Sequence, residues 1–277
     1  MNHRGRLGIS LLAVLLALTV LLPVVWLAIS SLTQLSELLS RPLRWLPQQP
    51  TLERYGAIVS GSAGEEFRFA LRNSMAVAAL STGVSLITAV LAAYAFSSFG
   101  TPRRLNVLYA LLATYMMPPV AIALPLYQML AALSLLNTVW GLSLVYTSFL
   151  TPFLTWILKG FFDSIPRELE EAARIDGASY AGALRHVTLP LSLPGVTTAS
   201  LFGVLIAWDE FFYALIFTST SQAKTLPVAI AEFTTRHAVD FGLMSAGGIV
   251  AALPPVLLAF ALQRYLIAGL TAGAVKA

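Results

Sequence analysis

Long stretches without charge dominate the sequence, and short polar segments separate them. A membrane-crossing helix needs about 20 predominantly apolar residues. The uncharged runs cover 8–36, 73–102, 105–158, 187–208 and 241–263. Residues 105–158 are too many for one span, so we expect a break near 131–137. The pattern therefore predicts six transmembrane helices, near 9–31, 71–98, 106–130, 138–158, 191–217 and 245–268.

Composition supports an all-α integral membrane protein. The chain is 57% hydrophobic and only 11% charged, whereas about a quarter of the residues in a soluble domain are charged. The absence of cysteine excludes disulfides, thiolate metal sites and a cysteine nucleophile. The formal charge of +4 is small and distributed along the chain. In a membrane protein such charges reflect the orientation of the loops rather than a nucleic-acid partner.

The first apolar run is expected to remain as an uncleaved helix. Arg4 and Arg6 precede it, as in a signal peptide. However, the apolar part of a signal peptide is about 7–15 residues long, and the run over 9–29 is longer.

Lysines and arginines in the shortest loops indicate the orientation. The loop between spans two and three carries Arg103 and Arg104, and the next loop carries no charge. Positive charge favours the cytoplasmic side, which predicts cytoplasmic N- and C-termini. Two longer loops, 32–70 and 218–244, then lie outside and are large enough to contact a soluble partner.

Prolines interrupt two predicted spans, namely Pro118, Pro119 and Pro125 in the third and Pro254 and Pro255 in the sixth. Proline removes a backbone donor and kinks a helix. Two interpretations stay open. The bends serve bundle packing, or the bent helices open a central cavity and flex during transport.

The segment 159–190 is the most polar part of the chain and predicts two short helices. Asp163 or Ser164 can cap the first, with Pro166 in its first turn. Glu170 and Arg174 are four residues apart and can pair.

Gly177 is expected to end the first helix and Ser179 to cap the second. The second helix extends to about His186, presents Tyr180, Leu184 and Val187 to the spans, and Pro190 ends it. From the residues alone, the segment is either a solvated loop or a docking site for a soluble partner.

The same segment resembles the EAA loop of permease subunits of binding-protein-dependent ABC importers. The resemblance rests on spacing: Glu171-Ala172-Ala173, then Gly177 preceded by Asp176, then Val187 and Leu189-Pro190. Further stretches, 135–142, 208–219 and 269–277, resemble the carbohydrate branch of this family. Within that branch the chain is similar to the second maltose permease subunit, although Asp209 stands where many relatives carry Asn.

The resemblance implies the type I ABC importer permease fold in the inner (plasma) membrane of a prokaryote. It implies a heterodimer with a second permease, two ATP-binding subunits that hold ATP and Mg, and an extracytoplasmic solute-binding protein. A first helix and external loop over 1–68 would precede a permease core over 69–277. The residues expected to couple to the ATP-binding subunit are Glu170, Glu171, Ala172, Ala173, Asp176, Gly177, Leu189 and Pro190.

The sequence lacks the residues of a catalytic site. None of its three lysines, Lys159, Lys224 and Lys276, follows a glycine, as a P-loop requires. No Gly-x-Ser-x-Gly elbow is present. His3, His186 and His237 have no metal-ligand spacing. We therefore expect a transport subunit without a cofactor or metal of its own.

Two acids fall inside the predicted fifth span, Asp209 and Glu210. Ionisable groups at membrane depth face a cavity or a partner. They form a structural pair, or they line a pathway in which carboxylates accept hydrogen bonds from sugar hydroxyls and Trp208 or Tyr213 stacks on the ring. We favour Asp209 for the pathway, with further polar candidates at Asn73, Ser74, Tyr127 and Gln128.

The interpretation that follows is import of a sugar or sugar derivative by alternating access. An ABC permease for another polar solute, such as an amino sugar or a glycerol phosphate, is the alternative. An ion-coupled transporter would use Asp209 or Glu210 as a relay but leaves the EAA loop unexplained. A membrane-embedded enzyme would need a catalytic cluster that the sequence does not show.

Overall fold

A computed structural model describes residues 3–42, 44–60, 62–99, 102–233 and 240–274. Helices account for all the regular structure in these ranges, and no strand occurs within them. The helices are α1 His3–Leu32, α2 Leu35–Leu38, α3 Glu53–Val59, α4 Ser62–Ser98, α5 Pro102–Tyr115, α6 Pro119–Ala132, α7 Val139–Phe162, α8 Arg167–Ile175, α9 Tyr180–Ala183, α10 Leu189–Leu191, α11 Leu193–Asp209, α12 Phe212–Phe217, α13 Leu226–Glu232 and α14 Phe241–Ala274. A π-helical turn, Leu184–Thr188, joins α9 to α10.

Several residues discussed from the sequence lie outside this description. They are the side chains of His3, Arg4, Arg6, Arg103 and Arg104, together with the residues His237 and Lys276.

Four helical segments are long and apolar enough to cross a membrane: Gly8–Leu32, Gly64–Ser98, Val139–Phe162 and Phe241–Arg264. Two further candidates are bent pairs, Leu105–Tyr115 with Pro119–Ala132 and Tyr180–Leu191 with Leu193–Asp209. Counting each bent pair as one span gives the predicted six.

The third predicted span is broken instead of running continuously over 106–130. Its two halves meet at 94°, and Pro118 is the N-cap of the second half. Proline suits the start of a helix, where its missing N–H has no intrahelical partner. Pro125 lies within α6, and Pro254 and Pro255 lie within α14.

The fifth predicted span, 191–217, is also wrong as a continuous helix. The chain bends by 80° between Leu191 and Leu193. It breaks again after Asp209, because Glu210 has an extended backbone with φ −68° and ψ 120°. Asp209 is therefore the last residue of α11, and Glu210 lies at the break that follows it.

The chain forms two compact units, 1–68 with 228–253 and 69–227 with 254–277. In the second unit, α4, α7 and α11 pack closely because small residues face large ones. Ala89 and Ala93 are fully buried beside Leu154 and Leu158. At Gly195, an added Cβ would lie 2.6 Å from Cδ2 of Phe161.

In the first unit, Arg54 joins the ends of two long helices. Its side chain is buried, and a terminal guanidinium nitrogen lies 3.2 Å from the Asp240 carboxylate. The guanidinium also donates to the carbonyl of Thr33, directly after α1. Asp240 in turn accepts from the backbone N–H groups of Gly242 and Leu243 at 3.0 and 3.1 Å, and so caps α14.

Gly195→Ala should destabilise the second unit, whereas Gly160→Ala should not. The new methyl group at 195 would overlap the Phe161 ring, and overpacking of this kind costs about 1–3 kcal/mol. A Cβ at Gly160 meets no atom within 4 Å, so the higher helix propensity of alanine is expected to add up to ~1 kcal/mol there. Thermal unfolding of the detergent-purified protein checks this, and equal midpoints for the two variants would contradict the packing argument.

Candidate functional site

The connection from α7 to α8 differs from the predicted capping. Asp163 is the C-cap of α7, where its carboxylate pairs with Lys159 and accepts a hydrogen bond from the Ser97 hydroxyl at 2.8 Å. The Ser164 hydroxyl donates back to the Phe161 carbonyl at 2.6 Å. Neither side chain is therefore the N-cap of α8, which is Pro166 and makes no side-chain capping bond.

The end of α8 is as predicted. Gly177 has φ +94°, a conformation that glycine adopts without a Cβ clash. Its N–H bonds the carbonyl of Arg174 at 3.0 Å, and the Ala178 N–H bonds that of Ala173 at 2.9 Å. This is the Schellman arrangement, which satisfies the last carbonyls of a helix.

The second short helix begins as predicted but ends later. The Ser179 hydroxyl accepts from the Gly182 N–H at 3.2 Å and caps α9. Pro190 does not end the helix, because it lies in the first turn of α10. A backbone N–H in the first turn has no partner within the helix, so proline is tolerated there. Of the predicted apolar face, Leu184 is buried, Val187 is half-buried and Tyr180 is 40% exposed.

The predicted pair between Glu170 and Arg174 is replaced by contacts outside α8. The Glu170 carboxylate accepts from the Tyr94 hydroxyl at 2.6 Å and from the Ser98 hydroxyl at 3.1 Å, both on α4. The Arg174 guanidinium lies 4.0 Å from the centre of the Tyr180 ring. Two distant hydroxyl donors and an aromatic face therefore take the place of the local ion pair.

The opposite side of α8 is open. Its positions 168, 171, 172 and 175 share one face of the helix, given 3.6 residues per turn, and all four residues are exposed. Ile175 is 86% exposed. This outer face of α8 brings Glu171 and Ala172 together beside the exposed apolar side chain of Ile175.

The remaining coupling candidates lie around this face. Asp176 and Gly177 are exposed at the end of α8, and Ala173 is half-buried. Leu189 is half-buried and Pro190 exposed on α10.

Glu210 serves the helix break at which it lies. Its carboxylate accepts from the N–H groups of Tyr213 and Ala214 at 2.8 and 3.1 Å, and so caps α12. The same carboxylate accepts from the hydroxyl of buried Tyr146 on α7. Both oxygen atoms thus have protein donors, which favours the structural interpretation of this residue.

Asp209 has a different environment from its neighbour. It is exposed at the last position of α11. The rings proposed for stacking are buried, since Trp208 and Tyr213 are each only 6% exposed. Tyr213 already stacks with Phe149 and Phe217, with ring centres 5.9 and 5.7 Å apart. Both rings are therefore largely covered by the protein and offer little surface on which a sugar could stack.

The polar candidates on α4 hold a loop. The buried Asn73 amide donates to the carbonyls of Ser221 and Lys224 at 2.9 and 3.0 Å. The Ser74 hydroxyl accepts from the Leu226 N–H at 2.8 Å. On α6, in contrast, Tyr127 and Gln128 are both exposed.

Asn137 holds the same loop, although sequence reasoning gave it no such role. Its φ is +54°, in the left-handed region that asparagine enters more readily than most residues. Its side-chain oxygen accepts from the N–H groups of Ser219 and Thr220 at 2.9 and 3.0 Å. An asparagine directly before the Thr138 cap of α7 was the available signal.

The described part of the chain contains no group of three or more His, Asp or Glu side chains that could hold a metal ion. His186 lies 2.9 Å from the carbonyl of Gly182, one turn earlier in the same helical segment. It therefore has a local partner.

Comparison with known proteins agrees with this description. Residues 85–271 match the family described as binding-protein-dependent transport system inner membrane component. The chain is 39% identical to the sulfoquinovosyl glycerol transport system permease protein SmoH of Agrobacterium fabrum, over 92% of this chain and 89% of that protein. It is 34% identical to the trehalose/maltose transport system permease protein MalG of Thermococcus litoralis, over 95% and 94% of the two chains.

The fold is also shared with a solved structure, that of a bacterial ABC transporter involved in the import of the acidic polysaccharide alginate. The TM-score is 0.77 at 21% identity, and the match covers 96% of this chain and 99% of the other. The family match covers the segment 159–190 and more than half of the chain. The protein therefore belongs to the binding-protein-dependent transport system inner membrane components, the permease subunits of ABC importers, and is a transport subunit rather than an enzyme.

Proposed function

We propose that this permease moves a sugar or sugar derivative into the cytoplasm by alternating access, driven by ATP hydrolysis in partner subunits. The observation that carries the proposal is the exposed outer face of α8, with its EAA spacing, inside the family-matched region. Relatives named for sulfoquinovosyl glycerol and for trehalose and maltose support a sugar or sugar derivative as the solute.

The outer face of α8 docks on an ATP-binding subunit, which binds ATP and Mg. A helix with exposed Glu171, Ala172 and Ile175 offers that subunit a carboxylate, a small side chain that permits close approach, and an apolar anchor. Closure of two such subunits rotates the two permeases of a heterodimer from an inward-facing to an outward-facing state. The permease contributes the lever and the pathway, and its partners contribute the chemistry.

The N- and C-termini and α8 lie in the cytoplasm. The loops 32–70 and 218–244 then lie outside, where the extracytoplasmic solute-binding protein approaches. Loop residues 219–224 are held by Asn73 and Asn137, so this surface is preorganised for a partner. Preorganisation lowers the ordering cost of binding.

Asp209 lies on the solute pathway in this proposal. Its carboxylate is exposed and can accept hydrogen bonds from sugar hydroxyls. Glu210, with its oxygens bound to Tyr146, Tyr213 and Ala214, supports the helix break beside it.

Glu171→Lys and Gly177→Pro should uncouple ATP hydrolysis from uptake or disrupt assembly, while the chain still inserts in the membrane. The first reverses a charge on the docking face, and the second places proline, which requires φ near −65°, where φ is +94°. Uptake of the solute captured by the co-purified binding protein, with ATP hydrolysis measured in parallel, checks this in proteoliposomes.

The matched control is Glu65→Lys, the same charge reversal at an exposed position at the start of α4. Because it lies in the external loop 32–70, we expect it to leave co-purification with the ATP-binding subunit unchanged. Full transport by both α8 variants, or a permease that never co-purifies with an ATP-binding subunit, would contradict the coupling role.

Asp209→Ala should reduce uptake more than assembly, whereas Glu210→Ala should reduce stability. Removing the Glu210 carboxylate leaves three donors without their acceptor, and each unsatisfied buried group costs about 1–3 kcal/mol. Thermal unfolding in detergent and uptake in proteoliposomes separate the two effects. Normal uptake kinetics in Asp209→Ala would assign that residue to structure.

A further inference from the structure

The side of α8 opposite its outer face is held by the last turns of α4. We propose that Tyr94 and Ser98 on α4 are positioning residues, which carry the movement of α8 into α4 through the Glu170 carboxylate. This inference rests on the proposed function, because it assumes that a partner moves α8.

The central contact is a pair of hydrogen bonds to one carboxylate. Tyr94 is 6% exposed and donates to one oxygen of Glu170 at 2.6 Å. Ser98, one turn later on α4, donates to the other oxygen at 3.1 Å. Hydrogen bonds to an ionised acceptor are shorter and about twice as strong as neutral ones. Because each oxygen has its own donor, the carboxylate fixes the orientation of α8 as well as its distance from α4.

A second contact lies one helical turn further along α8. Arg174 lies over the face of Tyr180 at 4.0 Å. The Tyr180 ring packs against Phe99 at 4.5 Å between centres, and Phe99 meets Tyr94 edge-on at 6.4 Å. The residue directly after α4 therefore holds the end of α8 through an aromatic path.

A third contact lies before α8 begins. The Ser97 hydroxyl donates to Asp163 at 2.8 Å, at the turn that leads from α7 to α8. Residues 97–99 and Tyr94 thus reach the beginning, middle and end of the α8 region.

These polar bonds are not supplemented by tight packing. None of the nine residues of α8, all of which the structure describes, is fully buried. A cavity of about 110 Å³ lies at the same place, lined among others by Tyr94, Ser98, Glu170, Arg174 and Tyr180. With a gap beside the bonds, removal of one hydroxyl is expected to loosen α8 from α4.

The span that receives the movement is continuous. Residues Gly64–Ser98 form one helix of 35 residues, and a rigid element of this kind can carry displacement along its length. In the second unit, Ala89, Ala93 and Tyr94 of the same helix lie in the core with Leu154 and Leu158 of α7. A displacement of α8 would therefore reach the packed core directly through α4.

Spin labels test whether α8 and α4 move together. The native chain contains no cysteine, so Leu91→Cys on α4 and Leu169→Cys on the flank of α8 provide unique sites on exposed residues. Distances are measured by double electron–electron resonance in the full complex, first without nucleotide and then trapped with ATP and vanadate. We expect one narrow distance, unchanged by trapping.

Tyr94→Phe, which removes only the hydroxyl, should broaden this distance or make it differ between the two states. Ser98→Ala should do the same to a smaller degree, and it replaces Tyr94→Phe if that variant does not assemble. Glu170→Gln keeps an acceptor oxygen and should retain a narrower distribution than Glu170→Ala. Tyr109→Phe, at a 60% exposed tyrosine on α5, is the matched control and should behave as the native chain.

Two results would overturn the inference. One is a distribution in Tyr94→Phe and Ser98→Ala that matches the control in both states. The other is a native distance that itself changes on trapping, because α8 would then move independently of α4. Failure of the proposed function is distinct, since the labelled permease would then form no complex with an ATP-binding subunit.

Discussion

The pairing of backbone N–H and C=O groups is the constraint on which the rest of this structure depends. Hydrocarbon offers no hydrogen bonds, so a membrane segment must satisfy its own backbone, which favours helices. Each break in a helix leaves up to four donors or acceptors without intrahelical partners. At three helix starts in this chain, a polar side chain supplies such partners. Glu210 does so for α12, Thr138 for α7 and Asp240 for α14.

This constraint changes the interpretation of polar residues in an apolar sequence. Asn73 and Glu210 are candidates from the sequence for contact with a polar solute or a neighbour, and Asn137 is a further polar residue beside an apolar span. In the structure their side chains bind backbone groups of the loop over 219–224 or of α12. Asp209 differs from these residues, because its side chain is exposed to solvent. The pathway role proposed above therefore rests on this residue rather than on Glu210.

Sequence reasoning reached features that depend on local chemistry. Hydropathy placed the first and fourth spans at 9–31 and 138–158, close to Gly8–Leu32 and Val139–Phe162. The stop at Gly177 and the cap at Ser179 were predictable because each depends on one residue type and its nearest neighbours. The EAA spacing lies on α8, a short helix that the same local rules predicted.

The errors involve partners that are far away in sequence. The acid at 170 takes its donor from Tyr94, 76 positions earlier, and not from Arg174 one turn away. At the helix break, the Glu210 carboxylate takes a donor from Tyr146, 64 positions earlier. Asp163 has the right chemistry for an N-cap, but Lys159 and Ser97 hold it at the end of α7. Local rules cannot choose between a neighbouring partner and one that only the tertiary fold supplies.

The attachment of α8 is suited to the two contacts that the proposed coupling requires of this helix. Burying Leu169 and Ile175 against the bundle would anchor the helix strongly, but it would remove the apolar surface that a soluble subunit needs. Both residues are instead exposed, at 45% and 86%, so hydrophobic burial contributes little to holding α8 in place. A directional bond through Glu170 can hold one side of the helix while leaving the other side free. A rigid attachment and an open docking face are then compatible on a helix of only nine residues.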